Sequence, residues 1–400
     1  MKGPARRGLF FARGRRRWSP ILVAVPLYAR APGALRCLGG WVRGVECAPF
    51  PPSQAARVKD FRYSFVVTAI CLALAAWWGA HTADGLWAAL LITVILGILE
   101  VSLSFDNAVV NARVLRDMDE WWRQMFLTVG ILIAVFGMRL VFPIVIVAVA
   151  TGLGSLEVID MALESPQEYS RHLMESHVPI AAFGGMFLLL VFLNFLIDAD
   201  KDTHWFGPLE RRLSAVGRAD SVNVGLAILA LLTLQGFLPA EARMDALIAG
   251  AWGILLYVGV GSLDVFFENP EEGEAAVQTV RRSGAAGFIY LEVLDASFSF
   301  DGVIGAFAIT QDVVIIMLGL AIGAMFVRSM TVHLVNRGTL DKFIYLEHGA
   351  HYAIGILAVL MLVSTFHHIP EVFTGLAGVV LIALSIWSSV LHRRREAASA

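Results

Sequence analysis

Two short stretches place acidic side chains inside segments that are otherwise apolar. Residues 99–110 read L-E-V-S-L-S-F-D-N-A-V-V, and residues 294–305 read L-D-A-S-F-S-F-D-G-V-I-G. A constant offset of 195 residues aligns Glu100 with Asp295 and Asp106 with Asp301. On insertion scales, placing an ionised side chain at the centre of a bilayer costs about 2.5 to 3.5 kcal/mol of free energy. Four such acids need compensation, and a bound cation is the simplest form of it.

On helical spacing, each stretch is polar on two faces. In the first stretch, Glu100, Ser104, Asn107 and Asn111 follow one face, whereas Ser102 and Asp106 follow another. A helix that is polar on two faces cannot turn either one to lipid. We therefore expect both stretches to be buried in protein or locally unwound around a cavity.

The composition identifies the class of protein. Of 400 residues, 58% are hydrophobic and 16% are charged, and the mean hydropathy is +0.70; soluble domains average about 25% charged residues. A polytopic membrane protein follows. The three cysteines have neither the spacing of a zinc site nor the even count of a disulfide framework. Nothing suggests nucleic-acid recognition, and no phosphate loop points to ATP.

Ten apolar runs are long enough to cross a bilayer, at about 20 residues each. They predict an all-α bundle of about ten transmembrane helices, with the fifth and ninth runs short. The runs fall near 61–80, 86–112, 123–150, 178–197, 221–237, 244–267, 285–310, 312–335, 349–366 and 370–391. The connections on the same side of the membrane as the N-terminal segment, together with the C-terminal end, carry 14 lysines and arginines. Those on the opposite side carry only Arg171 and Arg243. By the positive-inside rule, both termini are cytoplasmic.

The two acidic stretches lie five spans apart and so run in opposite directions, which predicts an inverted repeat of five plus five spans. The first repeat covers residues 61–237 and the second 244–392. Residues 1–60 form a basic segment, with twelve lysines and arginines against two acids. We interpret it as a disordered cytoplasmic tail or the product of an upstream start codon, with a transit peptide as the alternative.

Further positions support the repeat. Arg139 and Arg328 follow the two stretches in the next span of each half, where they are expected to form structural or gating ion pairs, and His177 and His348 open the fourth and ninth spans. Inverted-repeat carriers bind cargo where interrupted helices from the two halves meet. We expect interruptions at Asp106–Asn107 and at Gly302 and Gly305. We also expect a kink at Pro143, and one or two interfacial helices between Gly154 and His177, divided at Pro166.

The string E-V-S-L-S-F-D-N at residues 100–107 resembles the E-x-x-L-S-x-D-N signature of the TerC and Alx family of integral membrane proteins, within the lysine-exporter superfamily. D-A-S-F-S-F-D at residues 295–301 is similar to the partner motif of that family. The resemblance implies export of a divalent metal, most often manganese, or a link to tellurium resistance. It carries over to Glu100, Asp106, Asn107, Asp295 and Asp301. One departure is that Gly302 follows Asp301, where typical members continue D-S-I-P-A.

These observations favour a carrier in the bacterial inner membrane that exports a divalent metal ion, with protons as the potential exchange partner. It is expected to have no enzymatic activity and no cofactor. Possible accessory residues of the site are Ser104, Glu292, Ser299, Arg139, Arg328, His177 and His348. One alternative is a membrane scaffold in a metal or tellurium stress-response complex. A more remote one is an intramembrane aspartyl protease, although the G-x-G-D arrangement of those enzymes is missing. The sequence identifies no protein partner.

Overall fold

The structure is a computed structural model that describes residues 60–82, 85–130, 132–198, 201, 203–214, 221–267, 284–337, 342–367 and 369–399. Of the basic segment, residues 1–60, the structure therefore describes Asp60 alone. The side chain of Asp301 also lies outside them, although its backbone belongs to a described helix.

Within these ranges the chain is helical and contains no strand, which confirms the predicted all-α class. The first part comprises α1 Arg62–Gly79, α2 Leu86–Leu103, α3 Phe105–Asp117, α4 Glu120–Met125, two π-helical segments Phe126–Gly130 (π1) and Ile133–Val141 (π2), α5 Phe142–Thr151, α6 Ser155–Glu164, α7 Pro166–Glu175 and α8 His177–Ile197. The remainder comprises α9 Pro208–Ser214, α10 Ser221–Leu234, α11 Ala240–Phe267, α12 Gly284–Ile309, α13 Val313–Arg337, α14 Leu346–Ser364 and α15 Glu371–Ser399.

Eight helices of the described part are long and apolar enough to cross a membrane. They account for eight of the ten predicted spans. The other two spans are also helices: α10 has only 14 residues, and α12 carries the acids Glu292, Asp295 and Asp301. The polar segment before α8 forms two helices, α6 and α7, with Pro166 as the first residue of the second. The expected division into two helices at Pro166 is confirmed, whereas their position at the membrane interface stays a prediction.

The predicted interruptions were misplaced. The second span breaks at Ser104, which has φ −101° and ψ 18° and separates α2 from α3, whereas Asp106 and Asn107 lie in the first turn of α3. Gly302 and Gly305 lie inside the continuous helix α12. A glycine weakens a helix by only about 0.5 to 1 kcal/mol relative to alanine, and the packing around α12 outweighs that cost.

The third span changes its winding just before Pro143. Segment π2 ends at Val141, and the regular helix α5 begins at Phe142. Proline has no N–H group to donate to the carbonyl of Arg139, four residues earlier. The irregularity expected at Pro143 is thus a stretch of π-helix on its N-terminal side. π-Helical turns are rare in proteins, and where they occur they often lie at functional sites.

The core of the bundle is organised around α8, which packs against α11 and α14. Glycines allow the closest approaches. A Cβ atom on Gly253 of α11 would overlap the carbonyl oxygen of Phe183 on α8, and one on Gly355 of α14 would overlap the ring of Phe192. A second group of contacts joins α13 to α1 and α2. These helices hold the acidic stretches inside the protein.

Several helix contacts occur in pairs that the proposed repeat would exchange. The second span packs on the eighth (α2 on α13), and the seventh packs on the third (α12 on π2). Likewise, the second packs on the ninth (α3 on α14), and the seventh on the fourth (α12 on α8). These pairs favour the inverted repeat, whose boundaries stay a prediction.

A buried carboxylate, Glu210, joins α14 to the segment that precedes α10. Glu210 is fully buried and accepts hydrogen bonds from the hydroxyl of Tyr352 at 2.8 Å and from the backbone N–H groups of Trp205 and Phe206 at 3.2 and 3.1 Å. The ammonium group of Lys201 lies 3.2 Å away. Burial alone would raise the pKa of Glu210, but these donors, with the charges of Lys201 and His348, hold that pKa below its ordinary value.

We predict that Glu210→Gln lowers the free energy of unfolding by about 3 to 5 kcal/mol, because it leaves Lys201 buried without a counter-ion. A carboxylate whose pKa is depressed in the folded state stabilises above its ordinary pKa and loses that effect as the pH falls through the depressed value. The gap in melting temperature between wild type and variant, measured by intrinsic fluorescence in detergent, should therefore be full at pH 7 and shrink below about pH 4. A gap that is independent of pH would contradict this assignment.

Candidate functional site

The first acid of the first stretch forms an ion pair. Glu100, in the last turn of α2, is buried and binds the guanidinium of Arg139 from π2. The hydroxyl of Ser104 also donates to Glu100, at 3.1 Å. Two glycines form a slot for this side chain: a Cβ on Gly302 would lie 2.6 Å from Oε2 of Glu100, and one on Gly323 would overlap its Cβ. Glu100 is therefore held firmly toward Arg139.

A hydrogen bond joins the two acidic stretches. The side-chain amide of Asn107, on α3, donates to Oδ1 of Asp295, on α12, at 2.6 Å. Both side chains are buried. The remaining oxygens, Oδ1 of Asn107 and Oδ2 of Asp295, have no hydrogen-bond partner among the described residues. Each copy of the motif thus keeps one unpaired oxygen on its partner in this hydrogen bond.

A cavity of about 30 Å³ adjoins this pair. Its polar lining consists of Asn111, Arg139, Asp295, Arg328 and Thr331. In the part of the chain that the structure describes, Oδ1 of Asn111 is another buried oxygen with no partner. A cavity of this size corresponds to about one water molecule in the liquid. A bare divalent ion is no larger than a water molecule, but surrounding it with six or more oxygen ligands requires the side chains to move.

Asp106 faces a different cavity, of about 10 Å³, between α3, α12, α14 and α15. The lining residues are Leu103, Asp106, Phe298, Gly302, Ala353, Leu357 and Gly378. One carboxylate oxygen of Asp106 accepts a hydrogen bond from the backbone N–H of Asn107 at 2.9 Å. Asp106 has no ion-pair partner within the described ranges. The predicted partner of Asp106, the side chain of Asp301, lies outside the described residues.

Glu292 lies one turn before Asp295 on α12 and is buried. It packs against π1, where a Cβ on Gly130 would lie 2.5 Å from its Oε1. Neither of its carboxylate oxygens has a hydrogen-bond partner among the residues described here. The same holds for the hydroxyl of Ser299, one turn after Asp295. These two predicted accessory residues share the helix of Asp295.

The remaining accessory residues bind other partners. Arg328 lines the larger cavity, but its Nε and Nη2 donate to the backbone carbonyl of Leu127 in π1, at 3.2 and 2.8 Å. His177 lies 3.4 Å from the hydroxyl of Ser364. His348 binds the carbonyl of Thr203 at 2.9 Å and lies 3.7 Å from Glu210. The structure thus places His348 beside Glu210, in the contact between α14 and the segment before α10.

No group of three or more histidine, cysteine, aspartate or glutamate side chains within the described part is close enough together to hold a metal ion as it stands. The acids instead divide into an ion pair (Glu100), an amide-bonded carboxylate (Asp295), and two carboxylates without a cation (Asp106 and Glu292). Sequence reasoning did not reveal the π-helical segments or the glycine slot, because neither leaves a characteristic spacing in the sequence.

The family model described as "Protein of unknown function (DUF475)" matches residues 105–396. This chain belongs to the DUF475 family. The match includes Asp106, Asn107 and Asp295 but begins after Glu100. This match does not confirm the resemblance to the TerC and Alx family.

One relative of this DUF475 member is the "Uncharacterized membrane protein YceF" of Bacillus subtilis (strain 168). It is 27% identical over 195 residues, which cover 41% of this chain and 74% of the relative. No solved structure matches the chain. Together with the apolar helices, these findings indicate that this protein is a multi-pass membrane protein.

Proposed function

We propose that this DUF475 protein is a carrier that exports a divalent metal cation, with manganese as the favoured cargo. The observation that supports it most is the junction of the two acidic stretches. There, Asn107 and Asp295 bind each other, and each keeps one buried oxygen that has no partner in the described part of the chain. Burying a polar atom without a partner costs about 1 to 3 kcal/mol, and a cation at this place would offset that cost.

The available donors favour a hard cation. Around the junction they are carboxylate, amide and hydroxyl oxygens, from Asp295, Asn107, Asn111 and Ser299. Magnesium, calcium and manganese prefer such ligands, whereas zinc and copper favour nitrogen and sulfur. The likeness of residues 100–107 to the TerC and Alx signature favours manganese among the three.

The geometry supports transport better than permanent binding. The cavities beside Asp295 and Asp106 are small and separate, so six oxygen ligands can surround an ion only after the helices shift. A break at Ser104 and a π-helical third span give the first half two irregular elements next to the acids. Such discontinuous helices carry the ion sites of inverted-repeat transporters. Protons are the proposed exchange partner, because unpaired carboxylates such as Glu292 can bind them.

The proposal extends to location: a bacterial inner membrane with both termini in the cytoplasm, as the distribution of lysine and arginine predicts. A non-transporting scaffold in a stress-response complex is the rival. It predicts that the acids are dispensable for any ion movement.

The test is metal flux in liposomes that contain the purified full chain and a metal-sensitive dye. Manganese, magnesium, calcium and zinc are compared, each with and without a pH gradient. We expect saturable manganese flux above that of empty liposomes, with weaker flux of zinc and acceleration by an opposing proton gradient. Absence of flux for all four ions, from protein that is folded and correctly inserted, would overturn the carrier and favour the scaffold.

A further inference from the structure

Arg139 has a spare hydrogen-bond donor. Its Nη2 binds Glu100, and its Nη1 donates to the carbonyl of Ala134 at 2.5 Å. Its Nε is buried and has no partner among the described residues. The residue is only 7% exposed, so this donor faces the interior of the protein rather than bulk water. A guanidinium presents five N–H donors in a rigid fork, and this one is incompletely used.

Asp295 has an unused hydrogen-bond acceptor that could pair with this donor. Arg139 and Asp295 line the same cavity of about 30 Å³, and within the described residues Oδ2 of Asp295 has no hydrogen-bond partner. A cation with an unused donor and a carboxylate with an unused acceptor therefore border one space of about the size of a water molecule.

Glu100, the ion-pair partner of Arg139, is held in place, whereas the other side of the guanidinium borders a cavity. Glu100 is held in the slot formed by Gly302 and Gly323, so the ion pair gives the guanidinium a stationary pivot. Arg328 borders the same cavity but spends both Nε and Nη2 on the carbonyl of Leu127. Of the two arginines that line the cavity, Arg139 is the one with a buried unpaired donor.

A carrier that releases a divalent cation must return with an emptied acidic site. Near Arg139, Glu100 and Asp295 are buried carboxylates, and Glu292 is buried one turn before Asp295. Reorienting uncompensated buried charge costs several kcal/mol. An exchanger avoids that cost by returning only with another cation. A carrier that returns without metal neutralises the emptied site either with protons, the proposed exchange partner, or with a cation that belongs to the protein itself.

We propose that Arg139 is that cation of the protein: a tethered group that compensates Asp295 when the cargo is absent and withdraws to Glu100 when the cargo binds. The inference rests on the proposed carrier function and adds to it a positioning residue that sets the transport mode. It predicts that Arg139 is required for net export but dispensable for one-for-one exchange of cargo.

The test compares two transport modes in the same liposomes, which contain the full chain. Net efflux of labelled manganese is measured into metal-free buffer, and exchange is measured into buffer with unlabelled manganese. In Arg139→Gln, the ratio of net efflux to exchange should fall by at least about tenfold relative to wild type, because only the empty return step carries the uncompensated charge. Arg139→Lys keeps a cation and should retain part of the net efflux. Arg328→Gln is the matched control and should preserve the ratio of the two modes.

Because Arg139→Gln leaves Glu100 without its partner, the double variant Glu100→Gln, Arg139→Gln provides a charge-balanced form that removes the whole ion pair. It should show the same fall in the ratio of net efflux to exchange, whatever the loss of Glu100 does to the two rates together. Equal reduction of both modes in the folded double variant, or unchanged net efflux in it, would overturn the inference. Wild-type protein that moves manganese in neither mode would overturn the carrier function, and the inference with it. A working wild type with no selective loss overturns the inference alone.

Discussion

Asp295→Asn should reduce manganese flux through liposomes by at least about 100-fold. Mutation of groups that merely support metal ligands commonly costs 10 to 100-fold in affinity or activity, and Asp295 is proposed as a direct ligand. The substitution keeps the size of the side chain and lets Asn107 retain a hydrogen-bond acceptor, but it removes the negative charge that would attract the cation. Initial flux rates and the amount of inserted protein are measured on the same preparation.

The matched control for this substitution is Asp245→Asn. Asp245 is an exposed carboxylate on α11, away from the cavities at Asp295 and Asp106. Its amidation removes the same charge and should leave flux within about twofold of wild type, as expected for surface positions. Comparable flux in Asp295→Asn and Asp245→Asn would show that Asp295 is not a ligand. Reduced flux in both would point to the overall charge of the protein.

Gly253→Ala should destabilise the bundle more than other glycine substitutions in α11. The added Cβ would overlap the backbone carbonyl oxygen of Phe183 on α8, and backbone cannot move aside as the end of a side chain can. Overpacking of this kind costs about 1 to 3 kcal/mol or more. We expect a lower melting temperature in detergent and lower abundance in the membrane, because the contact between α8 and α11 organises the core.

Gly259→Ala, on the same helix, provides the control. A Cβ at Gly259 would meet no atom within 4 Å, and alanine is a better helix former than glycine by about 0.5 to 1 kcal/mol. The melting temperature of this variant should equal or slightly exceed that of wild type. Equal melting temperatures for both glycine variants would mean that α8 and α11 do not approach as closely as described.

The sequence predicted the class of fold because hydropathy and length determine whether a helix can cross a bilayer. It also predicted that Glu100, Asn107, Asp295 and Arg139 belong to one region, because buried charges in a membrane require partners. The helix break was predicted at the wrong residues. Local propensity favours an interruption at glycine, but α12 continues through Gly302, where the missing side chain makes room for Glu100.

The pairing of the acids depended on how the helices cross and was not readable from spacing. Equivalent positions of the two stretches differ in their surroundings: Glu100 binds a guanidinium, whereas its counterpart Asp295 binds an amide. Arg139 and Arg328 occupy matching positions in the proposed repeats, yet one binds a carboxylate and the other a carbonyl. The asymmetry of the site arises from packing, which an internal repeat in the sequence does not specify.

The central claim is that unpaired oxygens of Asn107 and Asp295, one from each half of the chain, hold a hard divalent cation. Its most direct test is equilibrium binding of manganese to the purified full chain, followed by the paramagnetic resonance signal of the free ion. We predict saturable binding to wild type that calcium and magnesium displace, and binding at least about tenfold weaker for Asp295→Asn. Identical binding by the two folded proteins, or no saturable binding by wild type, would contradict the account.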